Sequence, residues 1–418
     1  MTTIRYIEQP GRKRARLKTL IRACLACFGI ALTALAVVSL RSAQADVSFY
    51  NPDSQELAGK PGSIIRSEAM PFSPDGAIGT RILYRSIGLH GEPIAVSGVL
   101  ITPATGSNTD RPIVAWAHPT SGVATACAPS LSRGVYRQIQ GLEQLIAEGY
   151  AVVATDYPGL GAPGVHPYLI GDSEGRSVLD SVRAARELLG EPQSPKFAIW
   201  GHSQGGQAAL YAGLLAPSYA PELRLVGIAA AAPATDLPTL MKDDFATSGG
   251  KGLTALTLWS WSRLFDIRLD DIVQPSAMKT VDALGEGCIE TIFDFLERRL
   301  EERPLSRDFL TISDISAAEP WNELLKQNTP GVVPSAVPVF IAQGLGDTIV
   351  RPAVTLSYVR RLCRNGNSVE FVTLPKVGHG FIARDTAHDA IQWMADRFTG
   401  QAAPSRCAEL PAATGDGE

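Results

Sequence analysis

The sequence predicts an α/β domain with a mainly parallel, doubly wound sheet and a helical segment inserted late in the chain. Short apolar runs bounded by Gly and Pro alternate with amphipathic helical patterns from residue 112 to residue 234. Strand-like runs then stop between 239 and 320 and return at 336–344 and 368–375. Continuous apolar strands that alternate with helices are typical of a parallel sheet covered on both faces.

Residues 1–45 have the composition of a secretory signal peptide. Seven Lys or Arg and a single Glu lie within residues 1–22, an uncharged apolar run fills 23–40, and Ala43-Gln44-Ala45 follows. This order predicts cleavage after Ala45 and a secreted or periplasmic protein without stable membrane insertion. Because the apolar run is long for a signal peptide, an uncleaved membrane anchor is the alternative.

The composition of the remaining chain excludes several classes of protein. Residues 1–45 carry eight of the 38 Lys and Arg but only one of the 42 Asp and Glu, so the formal charge after cleavage is −11. A protein this acidic is poorly suited to bind nucleic acid. At 45% hydrophobic residues, the chain can bury a large core and is not a disordered protein.

Four cysteines remain after cleavage, at positions 127, 288, 363 and 407. An even number in an exported protein predicts two disulfides, and three pairings are possible. No pair has C-x-x-C spacing and the six histidines are scattered, so no metal site is predicted. We expect no cofactor.

The predicted elements begin with a β-hairpin, whose strands at 80–87 and 95–103 flank a Gly-Glu-Pro turn. Strands follow at 112–117, 150–159, 196–201 and 225–234, with helices between them at 141–149, 177–190 and 207–216. Strands return at 336–344 and 368–375, and a helix at 385–398 completes the domain.

The pattern divides the chain into four segments. After the signal peptide, residues 46–238 form the first part of the α/β core and residues 321–418 form its second part, which ends in a tail. The helical segment 239–320 is an insertion of about 80 residues, a length typical of a cap or lid.

Two of three glycine motifs lack the context that a functional loop requires. The motif G-x-G-x-x-G at 159–164 would indicate a dinucleotide-binding oxidoreductase, but Pro163 and Pro167 prevent a helix from starting there. The motif G-D-S-E-G at 171–175 follows a stretch that cannot form a regular strand. We predict that Asp172 or Ser173 caps a helix and that Glu174 lies in its first turn.

The third motif, G-H-S-Q-G at 201–205, has a strand before it and a small-residue helix after it. This is the context of a nucleophile elbow, in which a strand turns sharply into a helix and presents the serine at the apex. The motif predicts that Ser203 is a catalytic nucleophile and that the domain has the α/β-hydrolase fold.

A serine nucleophile needs a base and a carboxylate that orients the base. In α/β-hydrolases the chain order is serine, acid, histidine, and only His379 and His388 follow Ser203. We predict His379 as the base because it lies on a glycine-flanked loop after the last strand, whereas His388 lies within the final helix. Asp347, at the carboxyl end of strand 336–344, is the predicted acid, and Asp314 is the alternative.

The oxyanion of the reaction needs two backbone donors. We predict the N–H of Gln204, which follows the nucleophile, and the N–H of Thr120 in the loop after strand 112–117, with Ser121 as the alternative. His118 lies in the same loop and is predicted to shape it.

Together these motifs resemble the secretory lipase family of α/β-hydrolases. The resemblance rests on HPTSG at 118–122 followed by Cys127, TDYPGLG at 155–161, the GHSQGG elbow, the helical segment, and the late Asp and His. It implies carboxylester hydrolysis and a cap helix over an acyl tunnel. It also implies disulfides between Cys127 and Cys288, tying the cap to the core, and between Cys363 and Cys407, pinning the tail.

The sequence therefore predicts a secreted serine esterase or lipase whose substrate is an ester or a lipid, including triacylglycerols. A serine peptidase, an acyltransferase and a non-catalytic binding protein are the alternatives. Helix 252–266 is apolar around much of its circumference. We predict that Trp259 and Trp261 on this helix line the acyl site; the alternative is that the helix is buried core.

Overall fold

The structure is a computed structural model of the chain and describes residues 48–106, 111–190, 196–244, 247–289, 304–305 and 308–411. The predicted signal peptide lies outside these ranges. The chain divides into an N-terminal unit that ends at Asn51 and a main unit from Pro52 onward, which contains every element labelled below. Within the described ranges, no helix combines the length and the apolar character needed to cross a membrane.

One sheet of nine strands forms the centre of the main unit. The strands are β1 (Ile64–Ala69), β2 (Ala77–Ile87), β3 (Pro93–Pro103), β4 (Ile113–Ala117), β5 (Ala151–Thr155), β6 (Lys196–His202), β7 (Arg224–Ala231), β8 (Val339–Gly344) and β9 (Val369–Leu374). Their spatial order is β1-β2-β3-β5-β4-β6-β7-β8-β9.

The sheet is antiparallel at one edge and parallel elsewhere. Strands β1, β2 and β3 pair antiparallel with one another, and β3 pairs antiparallel with β5. From β5 to β9 every pairing is parallel. Because strands that run in the same direction need long crossover connections, helices lie between them in the chain. The predicted mainly parallel sheet is confirmed.

The described helices are α1 (Val135–Gln138), α2 (Leu142–Ala147), α3 (Gly171–Leu189), α4 (Gln204–Tyr219), α5 (Leu237–Asp244), α6 (Ser248–Phe265), α7 (Pro275–Glu286), α8 (Trp321–Gln327), α9 (Pro352–Arg364), α10 (Ile382–Asp385) and α11 (Ala387–Phe398). Short 3₁₀ turns connect several of them.

Helix α3 begins six residues earlier than the sequence pattern predicts. The helix starts at Gly171, its N-cap is Ile170, and no side chain caps it. The prediction that Asp172 or Ser173 caps this helix is therefore wrong. The early start is possible because Gly171 and Gly175 lie against α4, where a Cβ at Gly171 would be 2.1 Å from the ring of Tyr211.

Apolar side chains cover both faces of the sheet. In β4, Val114 and Trp116 join the core on one face, while Ile113, Ala115 and Ala117 join the core on the other. This alternation follows from the two-residue period of a strand. Helices α2 and α11 contribute to the first core, and α3, α4 and α9 contribute to the second.

Helices α5, α6 and α7 lie in the segment between β7 and β8 where the sequence predicts helices without strands. The described residues of this segment contain one isolated β-bridge, Val273 with Leu310, and no strand. Apolar residues of the segment, among them Leu256 and Trp261, belong to the same core as Trp116 and Trp200 of the sheet. The segment is thus packed on the core.

Two disulfides join distant parts of the chain. Cys127, in a short 3₁₀ turn after β4, is bonded to Cys288, which follows α7. Cys363 of α9 is bonded to Cys407 near the end of the described chain. These are the two pairs that the family resemblance implies.

Candidate active site

Ser203 lies at the point where β6 turns into α4. Its backbone has φ 57° and ψ −118°, a conformation that L-amino acids rarely adopt. The turn is tight enough that a Cβ at Gly201 would be 2.2 Å from the carbonyl oxygen of Gly205. A Cβ at Gly205 would be 1.9 Å from the carbonyl oxygen of Ala117. The glycines of this motif are therefore required by the approach of backbone to backbone.

Three side chains from separate loops meet at this turn. His379 Nε2 lies 2.8 Å from the hydroxyl oxygen of Ser203, and His379 Nδ1 lies 2.8 Å from Oδ2 of Asp347. His379 follows β9 and Asp347 follows β8, so the carboxyl ends of neighbouring parallel strands bring them to the same edge of the sheet. The geometry allows the serine hydroxyl to donate to Nε2 while Nδ1–H donates to the carboxylate.

The environment of Asp347 favours its ionised form. Burial opposes ionisation, but the charge and hydrogen bond of His379 and the N–H groups of Ile349 and Val350 outweigh it. These two N–H groups donate to Oδ1 at 2.9 and 3.0 Å. The pKa of Asp347 is consequently lowered. Asp314, the alternative acid, instead accepts a hydrogen bond from the N–H of Ser316 at the start of a 3₁₀ turn.

His202 contacts the backbone of His379, a role that the sequence analysis did not predict. Its Nε2 donates to the carbonyl oxygen of His379 at 3.0 Å, and the two imidazole rings lie 5.0 Å apart. Burial and the neighbouring His379 lower the pKa of His202 to about 3. A neutral His202 therefore supports the loop that carries His379.

The other described histidines around the site are held by fixed partners. Burial lowers the pKa of His118 to about 4 and that of His166 to about 3. His118 contacts the carbonyl oxygens of Pro119 and Asp156, as expected for a residue that shapes its loop. His388 lies on an exposed part of α11 beside Gln144.

Behind the nucleophile, the Gln204 side chain belongs to a buried polar network. Its amide nitrogen lies 2.7 Å from Oε1 of Glu174 and 3.2 Å from Nε2 of His166. Glu174 Oε1 also accepts the N–H of Leu169 at 2.9 Å. Burial raises the pKa of Glu174 to about 8, against the lowering effect of these two hydrogen bonds. The motif at 171–175 thus places a carboxyl group directly behind the elbow.

The two predicted oxyanion donors lie on segments that adjoin in space. Gln204 is the first residue of α4, so its backbone N–H has no acceptor within the helix. Thr120 lies in the loop after β4 and shares a hydrogen bond of 2.9 Å with the hydroxyl of Tyr168. Ser121 in the same loop is buried, and its hydroxyl has no hydrogen-bond partner in the described part of the chain.

A narrow cavity of about 30 Å³ opens at Ser203. The sheet domain contributes part of the wall of this cavity, and Ala234 and the inserted helices contribute the rest. The residues from the sheet domain are Ser203, Gln204, Tyr168, Leu169, Ile349 and Val350. From helices α5 and α6 the residues are Leu237, Leu240, Met241, Asp244 and Leu253. With few polar groups, the cavity suits a small apolar group next to the serine.

Neither Trp259 nor Trp261 lines this cavity, which corrects the expectation from the sequence. Trp261 is fully buried, stacks on Trp321 at a ring distance of 6.3 Å and donates its N–H to the carbonyl oxygen of Tyr168. Trp259 lies against Gly285 of α7 and beneath the guanidinium of Arg263. Both rings pack helix α6 against neighbouring residues. The residue of α6 that lines the cavity is Leu253.

The arrangement provides a nucleophile, a base and a carboxylate, which are the groups needed to form and break an acyl-enzyme. Across the described ranges, no three His, Cys, Asp or Glu side chains are grouped so that they could hold a metal ion.

Comparison with known proteins identifies the family from the sequence and the fold from solved structures. The model of the secretory lipase family matches residues 134–405, more than half of the chain. Lipase 5 of Candida albicans is 29% identical over 394 residues, 87% of this chain and 82% of that protein. A probable inactive lipase of Mycobacterium tuberculosis is 25% identical over 385 residues, 85% of this chain and 82% of the relative.

Among solved structures, lipase A of Candida antarctica superposes with a TM-score of 0.72 at 21% identity. The match covers 87% of this chain and 92% of that structure. The likeness shows that the main unit has the α/β-hydrolase fold, as the elbow motif predicts.

Proposed function

We propose, from the premise that the chain belongs to the secretory lipase family, that it is a secreted serine carboxylester hydrolase. One relative is described as a probable inactive lipase, so membership alone does not establish catalysis. The observation that supports activity here is the continuous chain of contacts from Ser203 through His379 to Asp347, with both distances at 2.8 Å.

In the proposed first step, the hydroxyl oxygen of Ser203 attacks the ester carbonyl carbon while its proton passes to Nε2 of His379. Asp347 holds Nδ1–H and stabilises the imidazolium that forms. The negative charge on the substrate oxygen is stabilised by the backbone N–H groups of Gln204 and Thr120. His379 then returns the proton to the departing alcohol, and an acyl-enzyme remains.

In the second step, water attacks the acyl carbon as His379 takes one of its protons. The same backbone donors stabilise the second oxyanion. When this intermediate breaks down, His379 protonates the oxygen of Ser203 and the carboxylic acid leaves. The two steps use the side chains of Ser203, His379 and Asp347, the two backbone N–H groups, the ester and water.

Export is part of the proposal. Residues 1–45 have the composition of a signal peptide, and the disulfides Cys127–Cys288 and Cys363–Cys407 suit an oxidising compartment. Peptide mapping of unreduced protein purified from the periplasm or medium should recover both linked pairs and an N-terminus at Asp46.

The activity is tested with purified protein and p-nitrophenyl esters of graded acyl length, beside an aminoacyl p-nitroanilide. We expect hydrolysis of esters that Ser203→Ala abolishes. Preferential cleavage of the anilide would instead indicate a peptidase. Equal ester hydrolysis by the wild type and Ser203→Ala would contradict the proposal.

A matched control variant is Ser173→Ala, in the other G-x-S-x-G motif. Ser173 is buried within α3 and its hydroxyl has no hydrogen-bond partner in the described ranges. We expect this variant to keep the activity and stability of the wild type, because the substitution removes no hydrogen bond.

A further inference from the structure

The cavity beside Ser203 contains one carboxyl group that the proposed mechanism does not use. Asp244, the last residue of α5, is 5% exposed and lines the cavity together with Ser203. The other side chains contributed by the inserted helices to this wall are apolar: Leu237, Leu240, Met241 and Leu253. Among the residues that α5 and α6 contribute to this wall, Asp244 is therefore the one with a polar side chain.

Among the residues that the structure describes, none donates a hydrogen bond to the Asp244 carboxyl group. Its backbone carbonyl accepts the N–H of Thr247, but within the described ranges no donor lies at hydrogen-bond distance from its carboxyl oxygens. The nearby guanidinium of Arg351 is paired with Asp243, at 3.2 Å. Gly250, in the first turn of α6, leaves room for the carboxyl group, since a Cβ there would be 2.6 Å from Oδ1.

A carboxyl group that lines an apolar cavity and accepts no hydrogen bond from the described residues can bind a polar group that enters the cavity. The position of Asp244 indicates which part of the substrate would do so. His379 protonates the leaving alcohol and is absent from the cavity wall, whereas Gln204, the expected oxyanion donor, is part of it. The cavity therefore lies on the acyl side of the ester.

We propose that Asp244 forms a polar subsite that binds a hydroxyl group on a short acyl chain. The inference rests on the proposed function, because it names the substrate class of the same site. A hydroxyl can both donate to and accept from a carboxyl group, and it adds no charge to an apolar cavity. An ammonium group would need to be desolvated with a single partner, which makes it the less favourable ligand.

The small size of the cavity also favours a short acyl chain. About 30 Å³ of space holds only a few heavy atoms beyond the carbonyl carbon. Burial raises the pKa of Asp244 to about 8, with a smaller contribution from the charge of Asp243. At neutral pH the group is thus mainly a neutral acid, which suits a hydroxyl partner.

The test uses pairs of p-nitrophenyl esters of four- to six-carbon acids, each pair differing by one hydroxyl at a defined position. The measured quantity is kcat/KM for the hydroxylated ester divided by kcat/KM for the plain ester. We expect the wild type to show its highest ratio at one position. In Asp244→Leu that ratio should fall by about tenfold or more, because the hydroxyl then meets an apolar wall.

Two further variants make the test specific. Asp243→Asn changes the neighbouring carboxylate, which does not line the cavity, and should leave the ratio unchanged. Asp244→Asn keeps a neutral hydrogen-bonding group, so it should retain most of the preference for the hydroxyl. Thermal unfolding of each variant shows whether it is folded, and a structural role alone would lower kcat/KM for both members of a pair equally.

Several results would overturn the inference. One is a wild-type panel in which no hydroxyl position raises kcat/KM, a result that needs no variant to fold. Another is a ratio that is the same in the wild type and folded Asp244→Leu. A third is a preference for an amino-substituted acyl ester that Asp244→Asn abolishes, which would identify an ammonium ligand. If plain esters are still hydrolysed in a Ser203-dependent way, the proposed function survives these results.

Discussion

Ser203 has a backbone conformation that is unfavourable for any residue with a side chain. Such strain costs about 1–3 kcal/mol and persists because the surroundings enforce it. Here the N–H of Ser203 donates to Ala231 at 2.9 Å, and the turn continues directly into α4. The strain places the hydroxyl at the apex of the turn, where His379 reaches it.

The strain at Ser203 leads to a prediction about stability. Both Ser203→Gly and Ser203→Ala remove the nucleophile and should be inactive, but only glycine adopts φ 57° without steric cost. We expect the free energy of unfolding of Ser203→Gly to exceed that of Ser203→Ala by about 1 kcal/mol. Denaturant unfolding of the two proteins measures the difference, and a less stable glycine variant would argue against strain at this position.

His202 is expected to act on the reaction through the position of His379. His202→Phe keeps a buried ring but loses the hydrogen bond to the His379 carbonyl oxygen. We expect kcat on a short ester to fall about fivefold with little change in KM, because a net hydrogen bond contributes about 1 kcal/mol. His388→Ala, at an exposed site on α11, is the control and should match the wild type. An unchanged kcat in His202→Phe would show that the loop is held by other contacts.

Glu174 makes the stability of the network behind Ser203 depend on pH. Its pKa is about 8 in the folded protein and near 4.5 in the unfolded chain, so the unfolded chain releases the proton first as pH rises. The folded state is therefore penalised progressively between about pH 4.5 and pH 8. We expect Glu174→Gln to gain stability relative to the wild type across this range, on the order of 5 kcal/mol by pH 9.

Unfolding measured at pH 5, 7 and 9 tests this, with Glu143→Gln on an exposed turn of α2 as the control. If the difference between Glu174→Gln and the wild type is constant across pH, Glu174 does not titrate in this range.

At the residue scale, the sequence predicted side chains whose role follows from local context and missed those whose role depends on distant contacts. The elbow and the order of residues after it indicated Ser203, Asp347 and His379, which the structure brings together. Glu174 was placed correctly in the first turn of a helix, but its contact with Gln204 joins residues 30 positions apart. No pattern in a single sequence reports such a contact.

At the scale of elements, the disulfide Cys127–Cys288 joins the loop after β4 to the inserted helices. It closes a loop of 161 residues, whereas Cys363–Cys407 closes one of 44. In the chain-entropy model these crosslinks stabilise by about 5 and about 4 kcal/mol, respectively. We expect Cys127→Ala/Cys288→Ala to lower the melting temperature at least as much as Cys363→Ala/Cys407→Ala.

The two double variants should differ more clearly in activity. Losing the first crosslink frees the helices that build the cavity wall, so activity should fall at temperatures where the sheet domain is still folded. Losing the second releases only the tail and should leave activity unchanged below the unfolding transition. Equal loss of activity in both variants would contradict the proposed tether.

Helix α6 shows why element-scale predictions were only partly correct. The sequence predicted a helix at 252–266 and the structure has one at Ser248–Phe265. Because this helix is apolar around much of its circumference, periodicity could not identify the side that faces the substrate. The large aromatic residues were the obvious candidates, but they fill the core, and the cavity is lined by the smaller Leu253.

At the scale of the whole molecule, the proposed reaction and the proposed choice of substrate depend on different parts of the chain. The sheet supplies Ser203, Asp347 and His379 at the carboxyl ends of its strands. The inserted helices supply about half of the apolar wall beside Ser203. A change in the insertion should therefore alter which acyl chain is accepted without altering the reaction itself.

Leu253→Ala tests this division of roles. The substitution removes three carbon atoms from a wall that leaves about 30 Å³ free, so the lengthened cavity should admit an acyl chain two or three methylenes longer. Each buried methylene contributes about 0.8 kcal/mol, equivalent to about a fourfold fall in KM. We expect the wild type to prefer short p-nitrophenyl esters and Leu253→Ala to shift that preference toward longer chains while turnover of the acetate ester stays the same.

Trp261→Phe, a change in the core of the same helix, is the matched control: it loses the hydrogen bond to Tyr168 and should lower the melting temperature without shifting the preference. If the chain-length profile of folded Leu253→Ala coincides with that of the wild type, the acyl chain does not occupy this cavity, because a wall that touches the chain cannot lose three carbon atoms without changing which lengths it accepts.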